Sequence, residues 1–218
     1  MSWLNDWVGF LPEMLDGLKI SLLVAGVAIL AGYPVGLVLG LMVSSAHVVV
    51  RTVGLVLVEA GRGAPALVIL YIVYYGLPSI GITFESITAA CIGLAFSAAA
   101  YSSEMFRAGI QSVPRGQLEA ADALGLERSS TFRRIVLPQG LRSAVPGLMG
   151  VAIQVFQGTS LAYGIAVPEL MKTAYNIGSQ DFNYLKVFVL AGLVYAGVSV
   201  PATWITVYFE RRMSRRYA

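Results

Sequence analysis

The sequence is short of charge. Only 12% of its 218 residues are Asp, Glu, Lys or Arg, while 57% are hydrophobic. A soluble domain carries about 25% charged and about 45–50% apolar residues. A chain this apolar has too few polar groups to cover a surface in water, which excludes a soluble globular domain and leaves lipid as the solvent. There is one cysteine, Cys91, inside an apolar run. It excludes an intrachain disulfide and reads as a small buried hydrophobe rather than a reactive thiol. There is one histidine, His47, with no cysteine or histidine cluster near it, so no metal site of the usual spacing is expected. No nucleophile–base constellation stands out, and no catalytic residue is expected. The phosphate loop GxxxxGK[ST] is missing, so the chain is not expected to bind a nucleotide itself. Ahead of the first apolar run lie Asp6, Glu13, Asp16 and Lys19, net −2, the wrong sign for the start of a secretory leader.

What is there is a set of long apolar stretches. A helix needs about 20 residues to cross a bilayer. Five stretches free of charge and histidine qualify: 21–46, 63–84, 86–103, 143–168 and 187–209. Five spans alternate the sides of the segments between them. One side collects 12 basic residues: Arg51, Arg62, six Arg in segment 104–142, and Arg211, Arg212, Arg215 and Arg216. The other side holds three, Lys19, Lys172 and Lys186, and the acids divide evenly. Basic residues favour the cytoplasm, so the long segment and the C-terminus are expected inside and the N-terminus outside. Trp3 and Trp7 precede the first span, where interfacial aromatic anchors lie. The first span carries Gly36 and Gly40, a GxxxG pair that permits close helix approach.

The spans contain no ionisable group, whereas a proton- or sodium-driven carrier commonly places carboxylates or histidines at mid-membrane. The energy source is therefore expected elsewhere. The fourth span is the most polar, with Gln154, Gln157, Gly158, Thr159 and Ser160 near its centre. In hydrocarbon such groups need partners. Interhelical hydrogen bonds and a polar path for a zwitterion both satisfy that need. Gly158 is placed to loosen the helix. The third span adds Ser97, Tyr101 and, at its end, Glu104, which reads either as a loop anchor or as a gate residue.

Segment 104–142 alternates charge with apolar side chains. Ser112-Val113-Pro114 reads as a helix start, with Ser112 as the cap. The helix runs through Gln117–Leu124 and stops at Gly125. A second starts at Ser129 or Ser130 and ends near Pro138. Docking of a soluble partner and packing against the chain's own bundle are both open to such a helix–turn–helix.

The run Glu119-Ala120-Ala121, three residues, Gly125, nine residues, Ile135-Val136-Leu137-Pro138 resembles the EAA loop of ABC importer permeases. Residues 100–117, Leu137-Pro138-Gln139, Thr159-Ser160-Leu161 and Val167-Pro168-Glu169-Leu170 resemble its polar amino acid branch. The resemblance implies an all-α integral membrane fold, the type I importer permease, with five transmembrane helices and a cytoplasmic helix–turn–helix coupling loop, in a single domain over residues 1–218. It implies that Glu119, Ala120, Ala121 and Gly125 couple the bundle to a separate ATPase, which holds the ATP and Mg. Ser97, Tyr101, Gln154, Gln157, Thr159 and Ser160 are the expected substrate path. Expected partners are two ATPase subunits, a second permease (identical or not), an extracytoplasmic solute-binding protein and membrane lipid, with no nucleic acid. The expected cargo is a polar amino acid, in the inner membrane of a bacterium. An opine or ectoine-like derivative is the alternative, and a stand-alone carrier or channel a remoter one. Two positions depart from the family pattern: Gly158 stands where many members have an acid, and Ala64 where many have threonine. Phe156-Gln157-x-Thr159-Ser160 is most similar to members handling acidic amino acids.

Overall fold

A computed structural model gives the fold. It describes residues 2–214, with the side chains of 6–180 and 182–212. The side chain of Trp3 and all of Arg215 and Arg216 therefore lie outside the described residues. The described residues are helical, without strands. In order they form α1 (Ser2–Val43), α2 (Val48–Gly63), α3 (Ala66–Tyr71), α4 (Ser86–Gln111), α5 (Arg115–Ala123), α6 (Arg128–Thr131), α7 (Leu137–Gly158), α8 (Leu170–Asp181) and α9 (Tyr184–Ser214). Turns of π-helix, Ile72–Gly76 after α3 and Phe132–Val136 between α6 and α7, extend these helices, and a 3₁₀ turn, Thr159–Ile165, continues α7.

Four helical stretches are long and apolar enough to cross a bilayer, Asp6–Val43, Ser86–Gln111, Arg128–Ile165 and Tyr184–Arg212. A bent pair, Val48–Gly63 and Ala66–Ile80, set at 102° to each other, is long and apolar enough only when the two helices are taken together. The break has a local cause. Pro65 lacks an N–H and forces Ala64 into extended backbone (φ −82°, ψ 135°), so neither continues a helix. The apolar run 63–84 thus begins at a corner.

Two helices outrun their apolar stretches. The first, α1, starts at Ser2, far ahead of residue 21. Asp16 and Lys19 sit one turn apart on its solvent face, their side chains about three-quarters exposed and paired at 2.7 Å. On the opposite face Met14 is fully buried against Leu170, Ile177 and Val187 of α8 and α9. The third apolar run likewise continues as helix to Gln111.

The second helix of segment 104–142 does not end near Pro138. The π turn at Phe132–Val136 shifts the hydrogen-bond register, and Pro138, which has no N–H to donate, falls at the start of α7. Ser112 does not cap α5. It closes α4, its hydroxyl donating to the Gly109 carbonyl at 2.7 Å and lying 2.8 Å from the Ser143 hydroxyl.

Helices α1 and α4 run parallel and touch backbone to backbone. A Cβ at Gly36 would lie 2.7 Å from the Ala99 carbonyl oxygen, and one at Gly40 would lie 2.8 Å from that of Ser103. Lipid provides no hydrophobic drive between helices, so close packing of small residues has to hold them together. Helix α7 returns antiparallel along α4, with Gly140 beside Ile110, Gly147 beside Met105 and Gly158 beside Leu94. The main core, Val24, Leu70, Leu94, Val155 and Phe156 among others, lies where α1, α3, α4 and α7 converge.

Candidate functional site

The corner at Ala64–Pro65 opens a cavity of about 350 Å³ between α2, α4 and α7. Gly61–Ala66 form one wall, Leu94, Ser97 and Tyr101 of α4 a second, and Val151, Gln154, Val155 and Gly158 of α7 the third, with Leu161 at its edge. Ser97 and Tyr101 are one helical turn apart, so one face of α4 presents both. The antiparallel return of α7 brings Gln154 opposite them. Three of the six expected path residues therefore share one cavity.

The other three do not line it. Thr159 is fully buried and its hydroxyl donates to the Phe156 carbonyl at 2.7 Å. The Ser160 hydroxyl donates to the Gln157 carbonyl at 2.8 Å, and the Gln157 side chain is exposed on the outside of the chain. Gly158 ends α7, and the backbone tightens there into the 3₁₀ turn. That turn closes on Ala166 at φ 62°, left-handed backbone that a residue with a Cβ adopts at a cost of about 1–2 kcal/mol.

Polar groups around the cavity are unevenly satisfied. The Ser97 hydroxyl is buried without a hydrogen-bond partner among the described residues. The Tyr101 hydroxyl donates to the Arg62 carbonyl at 3.4 Å. The Arg62 guanidinium faces Glu104 at 3.7 Å and Glu59 at 4.0 Å. Glu104 is held more firmly from its own helix, by Arg107 at 2.6 Å. From the sequence, Arg62 counted toward orientation and as the first residue of Arg62-Gly63-Ala64-Pro65, where the family pattern departs at Ala64. Its place just before Gly63-Ala64-Pro65 put it one residue from the end of α2.

The EAA-like segment forms a helix, a turn and a second helix. Leu126 N–H donates to Ala121 carbonyl at 3.1 Å and Gly125 N–H to Asp122 carbonyl at 3.0 Å, the paired bonds of a Schellman stop. Gly125 has φ 69°, which glycine adopts without strain. Glu119 and Ala120 are exposed, Ala121 is 1% exposed, and Leu124 stands out at 77%. The turn thus shows an acid, a small residue and a leucine to its surroundings.

A site the sequence did not announce lies at the opposite end of the bundle. Glu169, fully buried, caps α8 by accepting from Met171 N–H and Lys172 N–H, each at 2.8 Å. It also accepts from the Tyr195 hydroxyl of α9 at 2.8 Å and the Ser21 hydroxyl of α1 at 3.4 Å. Burial raises its carboxyl above the usual carboxylate range, against the opposing pull of those hydrogen bonds. The one available signal was an acid directly after Pro168, at the point where an apolar run gives way to a helix.

Residues 32–215 match the family described as binding-protein-dependent transport system inner membrane component. The chain belongs to this family. It is a permease, the membrane subunit of an ABC transporter embedded in the inner membrane, and not an enzyme. A probable amino-acid ABC transporter permease of Bacillus subtilis, YckA, is 38% identical over 95% of this chain and 90% of its own length. The glutamate/aspartate import permease GltK of Escherichia coli O157:H7 is 34% identical over 95% of this chain and 97% of its own. The crystal structure of an amino acid ABC transporter with histidines superposes with a TM-score of 0.89 at 29% identity, covering 95% of this permease and 97% of that chain. A chain of the MetNI methionine ABC transporter, at 20% identity and a TM-score of 0.66 over 96% and 97% of the two chains, shares the fold.

Proposed function

We propose that this permease imports polar amino acids, in a complex with two cytoplasmic ATPase subunits that bind ATP and Mg, a second permease and an external solute-binding protein. The N-terminus lies outside and the α5–α6 corner and C-terminus lie in the cytoplasm. The observation that carries the reading is that corner: a helix stopped by left-handed Gly125, with Glu119, Ala120 and Leu124 exposed, on a chain with no phosphate loop of its own. Ala121 and Gly125 keep the corner small and sharp, and Glu119 accepts hydrogen bonds from the ATPase. Nucleotide-driven movement of the partner then tilts α4 and α7, which flank the corner and wall the cavity. Ser97, Tyr101 and Gln154 line the path within this chain. Gln157, with its neighbour Ser160, belongs to the face turned to the second permease, because five crossings make half a channel, while Thr159 holds the turn behind them from inside the chain. The names of the relatives favour amino acids as cargo. The test is purification of the tagged permease with its co-expressed partners and a screen of amino acids for stimulation of ATP hydrolysis. Failure of every polar amino acid to stimulate an intact complex would sink the reading.

A further inference from the structure

The chain has three lysines, all on the side that the import reading places outside. Lys19 pairs with Asp16 and Lys186 with Asp6. Lys172 pairs with no acid among the described residues. Its ammonium stands instead over two aromatic rings, 5.2 Å from the centroid of Tyr163 and 5.8 Å from that of Tyr175. Ring faces attract a cation within about 6 Å. They cover one side of it, and its N–H donors stay open to an anion on the other. The rings are held in place. Tyr163 meets Tyr175 at 5.1 Å, and the row runs on through Tyr184 to Phe188 of α9 at spacings of 5.7 Å. The first turn of α8 is fixed from within, the buried Glu169 carboxylate accepting from the Lys172 N–H at 2.8 Å. Lys172 is accordingly half-buried on a braced surface.

Its place ties it to the path. Leu161 edges the cavity, and Tyr163 follows two residues later in the same 3₁₀ turn. Helix α3 starts at the cavity wall with Ala66 and carries Tyr71 five residues on, about 8 Å by helical rise. The Tyr71 hydroxyl would lie 2.7 Å from a Cβ at Gly164, and the Tyr75 hydroxyl donates to the Gly164 carbonyl at 3.3 Å. Helix α3 and the 3₁₀ turn therefore meet directly beside the ring that carries Lys172.

We propose that Lys172, on its tyrosine cushion, is a receiving site for the carboxylate of the incoming solute, separate from the cavity and ahead of it. The proposal rests on the import reading above and adds a step to it: capture by charge at the outer rim, then passage inward. A partly exposed ion pair binds weakly, which suits a site that has to release its load.

The test uses Lys172→Cys in a Cys91→Ser background, Cys91 being the one native cysteine. The complex of permease and ATPase, in nanodiscs, is labelled with 2-aminoethyl methanethiosulfonate during ATP turnover. Two pairs of compounds are added: L-glutamine with 4-aminobutanamide and L-arginine with agmatine, the second of each pair lacking the α-carboxylate. The amino acid of at least one pair is expected to slow labelling about threefold or more, and its partner is expected not to. Uptake is then measured in proteoliposomes with the solute-binding protein added. Lys172→Gln and unlabelled Lys172→Cys are expected to import at about a tenth of the wild-type rate, with the half-saturating concentration of loaded binding protein unchanged. Lys172→Arg and the aminoethyl-labelled cysteine are expected to recover most of that rate, and a sulfonatoethyl label none. No protection, equal protection by both members of each pair, or full uptake by Lys172→Gln overturns the site. So does a change confined to the half-saturating concentration, which makes Lys172 a contact for the binding protein. Amino acid-stimulated ATP hydrolysis that survives in those cases leaves import standing without this site, and its absence for every amino acid in the wild-type complex overturns both.

Discussion

The Tyr195 hydroxyl donates to the Glu169 carboxylate at 2.8 Å, joining the middle of α9 to the start of α8. Ser21 of α1 reaches the same carboxylate, so one buried acid ties three helices at a single end of the bundle. Tyr195→Phe removes one donor from a buried charged acceptor, and a loss of about 1–3 kcal/mol is expected. Glu169→Ala is expected to cost more, because it also strips the cap from α8 and removes the acceptor that the Ser21 and Tyr195 hydroxyls share. Thermal unfolding of the detergent-solubilised permease reads both. Equal midpoints for wild type and Tyr195→Phe would remove the bond from any account of stability.

The same acid sets a pH dependence whose sign is fixed. Burial holds the Glu169 carboxyl above its ordinary value in the folded chain. The folded state therefore keeps the proton to higher pH than the unfolded one. The resulting stability is complete below the unfolded value, about 4.3. It is lost as the pH rises through the folded value. The wild-type unfolding midpoint is expected to fall over that window, and Glu169→Gln to lack this component. An identical slope in the variant would assign the dependence to other groups.

Gly36 is where α1 and α4 have no room to spare. Its missing Cβ would press on the Ser102 hydroxyl and lie 2.7 Å from the Ala99 carbonyl oxygen. The hydroxyl can rotate; the carbonyl cannot. Gly36→Ala is expected to cost about 1–3 kcal/mol by overpacking, and Gly36→Leu to prevent assembly of the bundle. Gly26, on the same helix with no atom of another described element within 4 Å of its Cβ position, serves as the control. Gly26→Ala is expected to leave the midpoint unchanged, and detergent-resistant yield on size-exclusion chromatography separates the three variants.

The charge-free runs located most of the membrane helices because lipid tolerates little else. The same criterion overlooked α2, whose Arg51, Glu59 and Arg62 disqualify it as an apolar run although it packs Gly54, Val58 and Gly61 inward. It also cut α1 short at Lys19, since exposed charges at one face say nothing about a buried methionine on the other. Gly125 was readable because a helix stop is a local event, settled by a residue free to take positive φ. The cavity was half readable: Ser97 and Tyr101 share a helix face, but their meeting with Gln154 depends on how α7 packs along α4. Glu169 was unreadable in its role, because its hydroxyl partners come from residues 148 positions before and 26 after it.

The polar cluster at the end of α7 divides into two kinds of residue. Thr159 is fully buried and bonded to its own helix, so Thr159→Val is expected to change uptake little and stability by about 1 kcal/mol. Gln154 and Gln157 are both exposed on the isolated chain, and Gln154 lines the cavity. Gln154→Leu and Gln157→Leu are expected to lower uptake into proteoliposomes several-fold while the permease still co-purifies with its ATPase. Unchanged uptake in both would take them out of the path.

Gly125 allows backbone strain and partner contact to be told apart. Apart from its chain neighbours, a Cβ built there meets no atom of the described residues within 4 Å, so the internal penalty is the left-handed φ of 69°. Asn and Asp accept that conformation at similar cost and have nearly the same shape. They differ in charge. Gly125→Asn is expected to keep much of the coupling between ATP hydrolysis and uptake. Gly125→Asp, which sets a carboxylate beside Glu119 and Asp122 on the exposed corner, is expected to insert and fold but to lose substrate-stimulated hydrolysis. Gly125→Ala isolates the strain, with a loss of about 1–2 kcal/mol confined to the corner. Stimulated ATPase activity in the reconstituted complex, measured beside hydrogen exchange of residues 115–131, checks each arm. Normal stimulation in Gly125→Asp would mean that the corner does not sit against the ATPase at all.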